Sequence, residues 1–202
     1  MPVYTDGSRA GRPRPLSRNA EMSRVFGKPG NAALYSVHAV PIIGKVYCHD
    51  LIAPALVGAM QDVVDLGLED LVDKGDFGGC YCYRNVRGST AMSPHSWAVA
   101  VDLNVTHLMR GGREVSGGAT NFHCKPGQVA TSLKRLAYLF RRWGFSWGGD
   151  WSTQYLDPMH YEATDLTVAI LEGKPLPEAF LKRLKRDGKV VAPERLTAGG
   201  GR

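Results

Sequence analysis

The sequence predicts a single domain in which α-helices are mixed with short β-strands. The 202 residues, of which 44% are hydrophobic, can bury one sizeable core, and this length is typical of one domain. Runs of β-branched residues and stretches with apolar residues at helical spacing both occur along the chain. No segment approaches the roughly 18 consecutive apolar residues that are needed to span a bilayer. We therefore expect a soluble protein without membrane insertion.

The first half of the chain predicts strands around one helix. Residues 35–40 and 41–47 are rich in β-branched residues and interrupted by Pro and Gly, which is typical of short strands or strand-like loops. From Pro54 to Gly67 the apolar residues recur at helical spacing, which predicts the first core helix. Residues 80–84 follow a glycine-rich turn and predict another strand.

The second half predicts one inner strand and further helices. Residues 98–103 alternate small apolar side chains as an inner strand does, and residues 107–127, with two Gly-Gly pairs, predict a loop. Apolar residues at helical spacing over 129–140 predict an amphipathic helix that ends near Gly144. Two short helices are expected nearer the C-terminus, at residues 166–171 and 177–184.

Basic charge is concentrated at the two ends of the chain. The net charge is +6; residues 1–30 carry six basic against two acidic side chains, and residues 174–202 carry eight against three. We expect a flexible basic arm over residues 1–20, a folded domain over 21–190 and a flexible tail over 191–202. Basic ends can attract an anionic polymer such as a bacterial cell wall, or simply keep the protein soluble. Because no aromatic residues are interleaved with the basic ones, we do not expect nucleic acid as a partner.

Two features of the sequence favour a cytosolic location for the protein. The N-terminal residues lack the continuous apolar stretch of a signal peptide. The four cysteines are too few and too irregularly spaced for a disulfide framework, and Cys80 and Cys82 lack the two-residue gap of the usual zinc pair. We expect all four to be reduced and mostly buried.

Two short stretches concentrate residues that bind metal ions and move protons. The first, residues 93–102, contains His95 and Asp102; the second, residues 148–162, contains His160. Two imidazoles and one carboxylate suit a catalytic zinc ion, because three protein ligands leave the fourth tetrahedral position open to water. The sequence therefore predicts a hydrolase.

Two carboxylates near His160 can supply a base. Asp157 precedes His160 by three residues, and Glu162 follows it by two. Either carboxylate could take a proton from a water molecule that the metal activates. The glycine-kinked segment that ends at Trp151 is of the kind that shapes the floor of a cleft.

Together these motifs resemble the D-alanyl-D-alanine carboxypeptidase family of VanY type, which includes phage and bacterial L-alanyl-D-glutamate endopeptidases that cut peptidoglycan stem peptides. The resemblance is carried by Ser-x-His at 93–95, Ala-x-Asp at 100–102 and the segment 148–162, and it covers roughly residues 35–165. It implies an α+β fold of the Hedgehog/DD-peptidase type, in which helices pack on a small antiparallel sheet that carries one zinc ion.

The resemblance also implies a role for individual residues. The implied zinc ligands are His95, Asp102 and His160. Asp157 takes the place of the family's general base, and Arg84 or Arg87 resembles the arginine that steadies the substrate carbonyl. Further contacts to the substrate are expected from Ser93, Trp151 and Glu162. One departure from the family pattern is Ala98, where the family has Gly, beside the bulky Trp97.

These observations favour a monomeric zinc peptidase acting on peptidoglycan. We expect a phage endolysin that accumulates in the host cytoplasm before lysis, with a bacterial enzyme exported by another route as the alternative origin. Internal cleavage is favoured because residues 148–151 and the Gly-rich residues 111–118 are expected to border an open groove. One alternative is a D-Ala-D-Ala carboxypeptidase, in which Arg84 or Arg87 holds the free carboxylate. The other is a non-catalytic cell-wall binding protein with a structural zinc ion, which would have no use for Asp157 as a base.

Overall fold

The computed structural model describes residues 11–17 and 19–191. The helices in these ranges are α1 (Ala20–Phe26), α2 (Ala53–Asp65), α3 (Thr131–Arg142), α4 (Asp165–Leu171) and α5 (Glu178–Val191). The strands are β1 (Tyr35–Val40), β2 (Gly44–His49), β3 (Ala100–Asp102), β4 (Leu108–Arg110), β5 (Arg113–Val115), β6 (Ser146–Trp147) and β7 (His160–Glu162). This mixture of helices and small antiparallel sheets agrees with the predicted α+β class.

The central sheet has three antiparallel strands in the order β3-β7-β6. Its inner strand β7 pairs with β3 so that His160 lies opposite Asp102. Tyr161, on the other face of β7, is fully buried; its ring lies 4.5 Å from that of Phe140 in α3, and its hydroxyl donates to the carbonyl of Leu133. One face of the sheet therefore packs against α3, and the other face carries the polar residues Asp102 and His160.

Helices α2 and α3 form the core, and both predictions are confirmed. Helix α2 begins with Pro in its first turn, buries its apolar residues and is followed by Gly67 at a φ of 64°. Helix α3 buries one apolar face and is followed by Gly144 at a φ of 80°. Gly58 allows the two helices to approach closely, because a Cβ atom there would lie 2.2 Å from the ring of Trp143.

The predicted strands β1 and β2 are confirmed as an antiparallel hairpin. This hairpin supports the loop that carries His95. The backbone N–H of His49 donates to the carbonyl of Ala98 at 2.9 Å, and the hydroxyl of Tyr35 donates to the carbonyl of Ser96 at 3.2 Å.

Two local predictions were wrong. Residues 80–84 form no strand: Cys80 lies in a bend and residues 81–84 have no regular structure. Their backbone bonds to the loop around His95 instead of to a neighbouring strand, as between the N–H of Cys82 and the carbonyl of His95. The loop predicted over residues 107–127 contains the hairpin of β4 and β5. Gly111 and Gly112 make its two-residue turn with φ values of 55° and 77°, which favour the twist of a tight hairpin.

The C-terminal helices include α4 where it was predicted, while α5 extends past the predicted end at residue 184. It does so because Asp187, one turn beyond Arg183, forms a buried ion pair with Arg141 of α3. The tail expected over residues 191–202 lies outside the described residues from 192 onwards.

Residues 11–17 pack against the domain. Leu16 is 3% exposed, Arg12 forms an ion pair with Asp150, and a Cβ atom at Gly11 would lie 2.1 Å from a carbonyl oxygen of α5. This packing differs from the free arm expected over residues 1–20, of which residues 1–10 lie outside the described part.

The four cysteines are free thiols, as expected; Cys48 and Cys80 are buried, whereas Cys82 is exposed. Among the described residues, none of the helices combines the length and the apolarity that crossing a membrane would require.

Candidate active site

His95, Asp102 and His160 meet at one point, where one ligand atom from each lies within 4.8 Å of the others. Nε2 of His95 lies 3.2 Å from Nδ1 of His160 and 3.3 Å from Oδ2 of Asp102. Nδ1 of His160 lies 3.1 Å from Oδ1 of Asp102. Tetrahedral zinc bonds of about 2.0–2.1 Å would place neighbouring ligand atoms about 3.3 Å apart. The three side chains can therefore hold a metal ion with little rearrangement.

The backbone explains why these side chains meet. Asp102 and His160 are directly opposite each other on antiparallel strands, so their side chains leave the sheet on the same face. His95 lies in a short 3-10 helix, Pro94–Trp97, that ends immediately before β3. Ala98 reverses the chain there in a left-handed conformation, with φ 53° and ψ 36°.

This conformation explains why Gly is the expected residue at the position of Ala98. A left-handed residue costs about 1–2 kcal/mol for L-amino acids other than Gly, so Gly is the residue that this turn favours. The methyl group of Ala98 is fully buried in the core. Trp97 does not narrow the cleft, because its ring is buried and its Nε1 donates to the carbonyl of Gly27 at 2.8 Å.

Each candidate imidazole ligand has a partner on its second nitrogen. Nδ1 of His95 lies 2.7 Å from the carbonyl oxygen of Cys80, and Nε2 of His160 lies 2.8 Å from Oε2 of Glu162. A carbonyl or carboxylate in this position fixes the ring and leaves the other nitrogen available to the metal. Glu162 is fully buried behind His160 and does not lie at the cleft surface, where we expected it to contact the substrate.

These contacts shift the proton affinities of the ligands. Burial alone would lower the pKa of His160, but its hydrogen bonds to Asp102 and Glu162 raise it to about 10. Burial would raise the pKa of Asp102, but His95 and His160 hold it well below its usual range. At neutral pH, in the protein without metal, the imidazole of His160 therefore carries a second proton and is positively charged. A cation must displace this second proton in order to bind.

Asp157 is the carboxylate that faces the cleft. Burial raises its pKa to about 7, to which Asp102 and Glu162 contribute, while His160 and Arg84 lower it. Its Oδ1 is buried and has no hydrogen-bond partner among the described residues. A partly buried carboxylate with an unpartnered oxygen beside three candidate metal ligands suits a proton acceptor next to a cation.

Gly148 fixes the position of Asp157. Its carbonyl accepts the N–H of Asp157 at 3.1 Å, and a Cβ atom at Gly148 would lie 2.2 Å from the carbonyl oxygen of Asp157. The carbonyl of Asp157 also accepts a hydrogen bond from the N–H of His160 at 3.1 Å. The glycine-kinked segment thus holds Asp157 at a set distance from the candidate ligand His160.

The site opens into a cleft of about 710 Å³. The predicted residues that line it, besides the three candidate ligands, are Arg84, Arg87, Ser93, Trp151 and Asp157. The ring of Trp151 lies 5.4 Å from that of His160. Lining residues that the sequence reasoning missed are Thr120, Phe122, His123 and Tyr155. The pair His123-Cys124 was the one signal for them, and it is weak without a second such pair.

The Gly-rich residues 111–118 do not line the cleft, contrary to expectation, and of residues 148–151 only Trp151 does. The first segment belongs to the β4–β5 hairpin, in which Gly111 and Gly112 form the turn and residues 113–115 form β5. The cleft walls come instead from residues around 84–91 and 120–123.

The two candidate arginines lie on one exposed loop, but their backbones are held by different hydrogen bonds. Ser96 holds the backbone of Arg84, since its hydroxyl donates to the carbonyl of Arg84 at 2.9 Å and accepts its N–H at 3.0 Å. Arg87 lies nearer the tip of this loop, within the turn closed by the hydrogen bond from Ser89 to Val86. The positive charge of Arg84 also lowers the pKa of Asp157. Arg84 is therefore the better placed of the two to act beside the base.

Residues 87–163 match a family model described as D-alanyl-D-alanine carboxypeptidase. No curated protein and no solved structure gives a significant match to the chain. The matched segment contains the three candidate ligands and Asp157. It supports a peptidase that acts on substrates of peptidoglycan type.

Proposed function

We propose that this protein is a zinc-dependent peptidase that hydrolyses a peptide bond within the stem peptide of peptidoglycan. One observation carries the proposal: three potential metal ligands at the spacing of tetrahedral zinc ligands lie beside Asp157, a partly buried carboxylate whose buried Oδ1 has no hydrogen-bond partner among the described residues. The family match over the same residues supports the substrate class. The sheet that bears the ligands, packed on α3, supports a fold of the Hedgehog/DD-peptidase type.

The donor set fits zinc in particular, because two imidazoles and one carboxylate are typical ligands of a catalytic zinc ion. When bound, zinc would supply a Lewis acid that polarises the scissile carbonyl and lowers the pKa of water. His95, Asp102 and His160 would hold it, with the rings fixed by Cys80 and Glu162.

The remaining steps belong to side chains of the cleft. Asp157 accepts the proton of the attacking water and then returns it to the leaving amine. Arg84 donates hydrogen bonds to the carbonyl oxygen as negative charge develops there. Trp151 and Phe122 line the cleft and offer apolar surfaces against which the peptide can lie.

We favour cleavage inside the stem peptide over removal of a terminal residue. A cleft of about 710 Å³ with walls from two separate loops suits a peptide that continues beyond the site on both sides. Such an enzyme would cut intact cell walls, as an endolysin does. The second candidate is a D-Ala-D-Ala carboxypeptidase, favoured by the description of the matched family and by two cleft arginines able to hold a free carboxylate.

Digestion of purified peptidoglycan by the zinc-loaded protein, analysed by mass spectrometry, tests the proposal. We expect new amino termini within the stem peptide, absent from a parallel digest with Asp157→Asn. Release of free D-alanine alone would establish the carboxypeptidase. A protein that binds zinc and sediments with sacculi but releases no fragment would be the non-catalytic binding protein.

A further inference from the structure

A second cavity of about 250 Å³ lies behind one wall of the cleft. Residues 147–157 form this wall and contribute to both spaces. Asp150 and Leu156 line the second cavity, whereas Trp151 and Asp157 line the cleft. Whatever occupies the second cavity therefore contacts the segment that holds the proposed base.

The lining of this cavity is rich in positive charge. The charged residues that line it are Arg12, Lys134, Arg141, Arg183 and Asp150. Four cations thus face one carboxylate, and a second carboxylate, Asp187, pairs with Arg141 and Arg183. Each of these two carboxylates is thus shared between two guanidinium groups.

The buried guanidinium groups keep N–H groups that no described residue satisfies. The side chain of Arg141 is 3% exposed, and both its terminal nitrogens bond to Asp150 or Asp187, but its Nε has no partner. The side chain of Arg183 is 7% exposed and bonds to Asp187 through Nε, while its Nη1 has no partner. A buried donor without an acceptor is costly, so such groups call for a ligand or water.

The electrostatic environment differs between the two buried arginines. Burial would lower the pKa of Arg141, but Asp150 and Asp187 raise it above its usual value. Burial lowers the pKa of Arg183, and the positive charges of Arg12 and Arg141 lower it further, although Asp187 raises it. Cations crowded in this way repel one another in a poorly solvated space. An anion between them would remove this repulsion and accept the remaining N–H groups.

We propose that this cavity binds a small tetrahedral oxyanion, with inorganic phosphate as its simplest representative. Guanidinium groups match the oxygens of such an ion and bind it by charge-assisted hydrogen bonds. Through Arg141 and Asp150, the bound ion stabilises the wall that carries Trp151 and Asp157. The site is separate from the zinc centre, so its existence does not depend on the proposed peptidase activity.

The test is a titration of the zinc-loaded protein with phosphate, against sodium chloride at equal ionic strength, followed by tryptophan fluorescence and thermal unfolding. Trp147, one of the four tryptophans, lines the cavity, so occupation should change the emission, and the variants below separate this cavity from the cleft that Trp151 lines. We expect phosphate to change the fluorescence and to raise Tm above the chloride control. Equal responses to phosphate and chloride would overturn the proposal.

A pair of matched variants on α3 locates the site. Lys134 lines the cavity and is exposed, whereas the adjacent Arg135 does not line it. Lys134→Glu should weaken phosphate binding about fivefold or more through charge repulsion, and Arg135→Glu, with the same charge change, should leave it unaltered. Equal weakening of phosphate binding by both variants would show an unspecific attraction to the positive charge of α3 and would overturn the assignment of the site to this cavity. If Arg84→Gln abolished phosphate binding and Lys134→Glu left it unaltered, the ion would bind in the cleft instead.

Discussion

Glu162 accepts a hydrogen bond of 2.8 Å from Nε2 of His160, on the side of the ring that faces away from the candidate metal position. The two residues are two apart on β7, so their side chains share one face of the sheet. Ala100 lies opposite Glu162 on β3, and its small side chain leaves space for the carboxylate. Glu162 thus orients a candidate ligand, and Asp157 remains as the carboxylate at the cleft.

Substitution of a ligand should remove the metal. We expect one zinc ion per chain in the purified protein and much less than one in His160→Ala after dialysis, measured by elemental analysis. His123→Ala is the control, because His123 lines the cleft but does not belong to the ligand group. A full equivalent of zinc in His160→Ala would remove His160 from the ligand set.

Substitution of the base should separate metal binding from hydrolysis. Asp157→Asn keeps the shape of the side chain but cannot accept a proton, so we expect normal zinc content and a rate of peptidoglycan hydrolysis lower by about 10²–10⁴. The comparison is the zinc-loaded wild-type protein on the same sacculi. A rate near wild type would exclude Asp157 as the base.

Substitution of Glu162 should act through the metal. Glu162→Gln weakens the contact that orients His160, so we expect zinc affinity to fall about 10–100-fold, measured by competition with a chelator. With zinc in excess, most of the hydrolytic activity should return. Loss of hydrolysis at full zinc occupancy, together with activity in Asp157→Asn, would reverse the two roles.

The two cleft arginines should differ in their effect on kcat. Arg84→Gln removes the cation beside Asp157, and we expect kcat to fall about 10²–10³-fold if this group stabilises the developing negative charge. Arg87→Gln removes an equal charge from the same loop and should mainly raise KM. The reverse pattern in steady-state kinetics would move the role to Arg87.

Metal binding should release protons. The hydrogen bonds to Asp102 and Glu162 raise the pKa of His160 to about 10, so at pH 7 the ring is charged until a cation displaces its proton. Zinc affinity should consequently increase as the pH rises from 6 towards 9. Calorimetric titrations at pH 7 in two buffers of different ionisation enthalpy should show release of about one proton for each zinc ion bound. Identical apparent enthalpies in the two buffers would contradict this.

Helices α2 and α3, the β1–β2 hairpin and the grouping of the ligand residues could be predicted from the sequence. Helical and strand periodicity reflect which face of each element is buried, and both are local properties of the chain. The candidate ligands could be grouped because only a few residue types bind metal ions, and the structure brings these three together. Residues 80–84 could not be distinguished from a strand, since an extended segment becomes a strand only when a neighbouring backbone pairs with it.

The sequence by itself determined the helices of the core and the group of residues that could hold a metal ion. Only the tertiary structure decided that Glu162 lies behind His160, that Arg84 rather than Arg87 acts electrostatically on Asp157, and that Arg12 packs against Asp150. The physical reason is that these relationships depend on distances between segments far apart in the chain. A charged residue has the same appearance in a sequence whether it is solvated or buried against an opposite charge, and burial is what changes its chemistry.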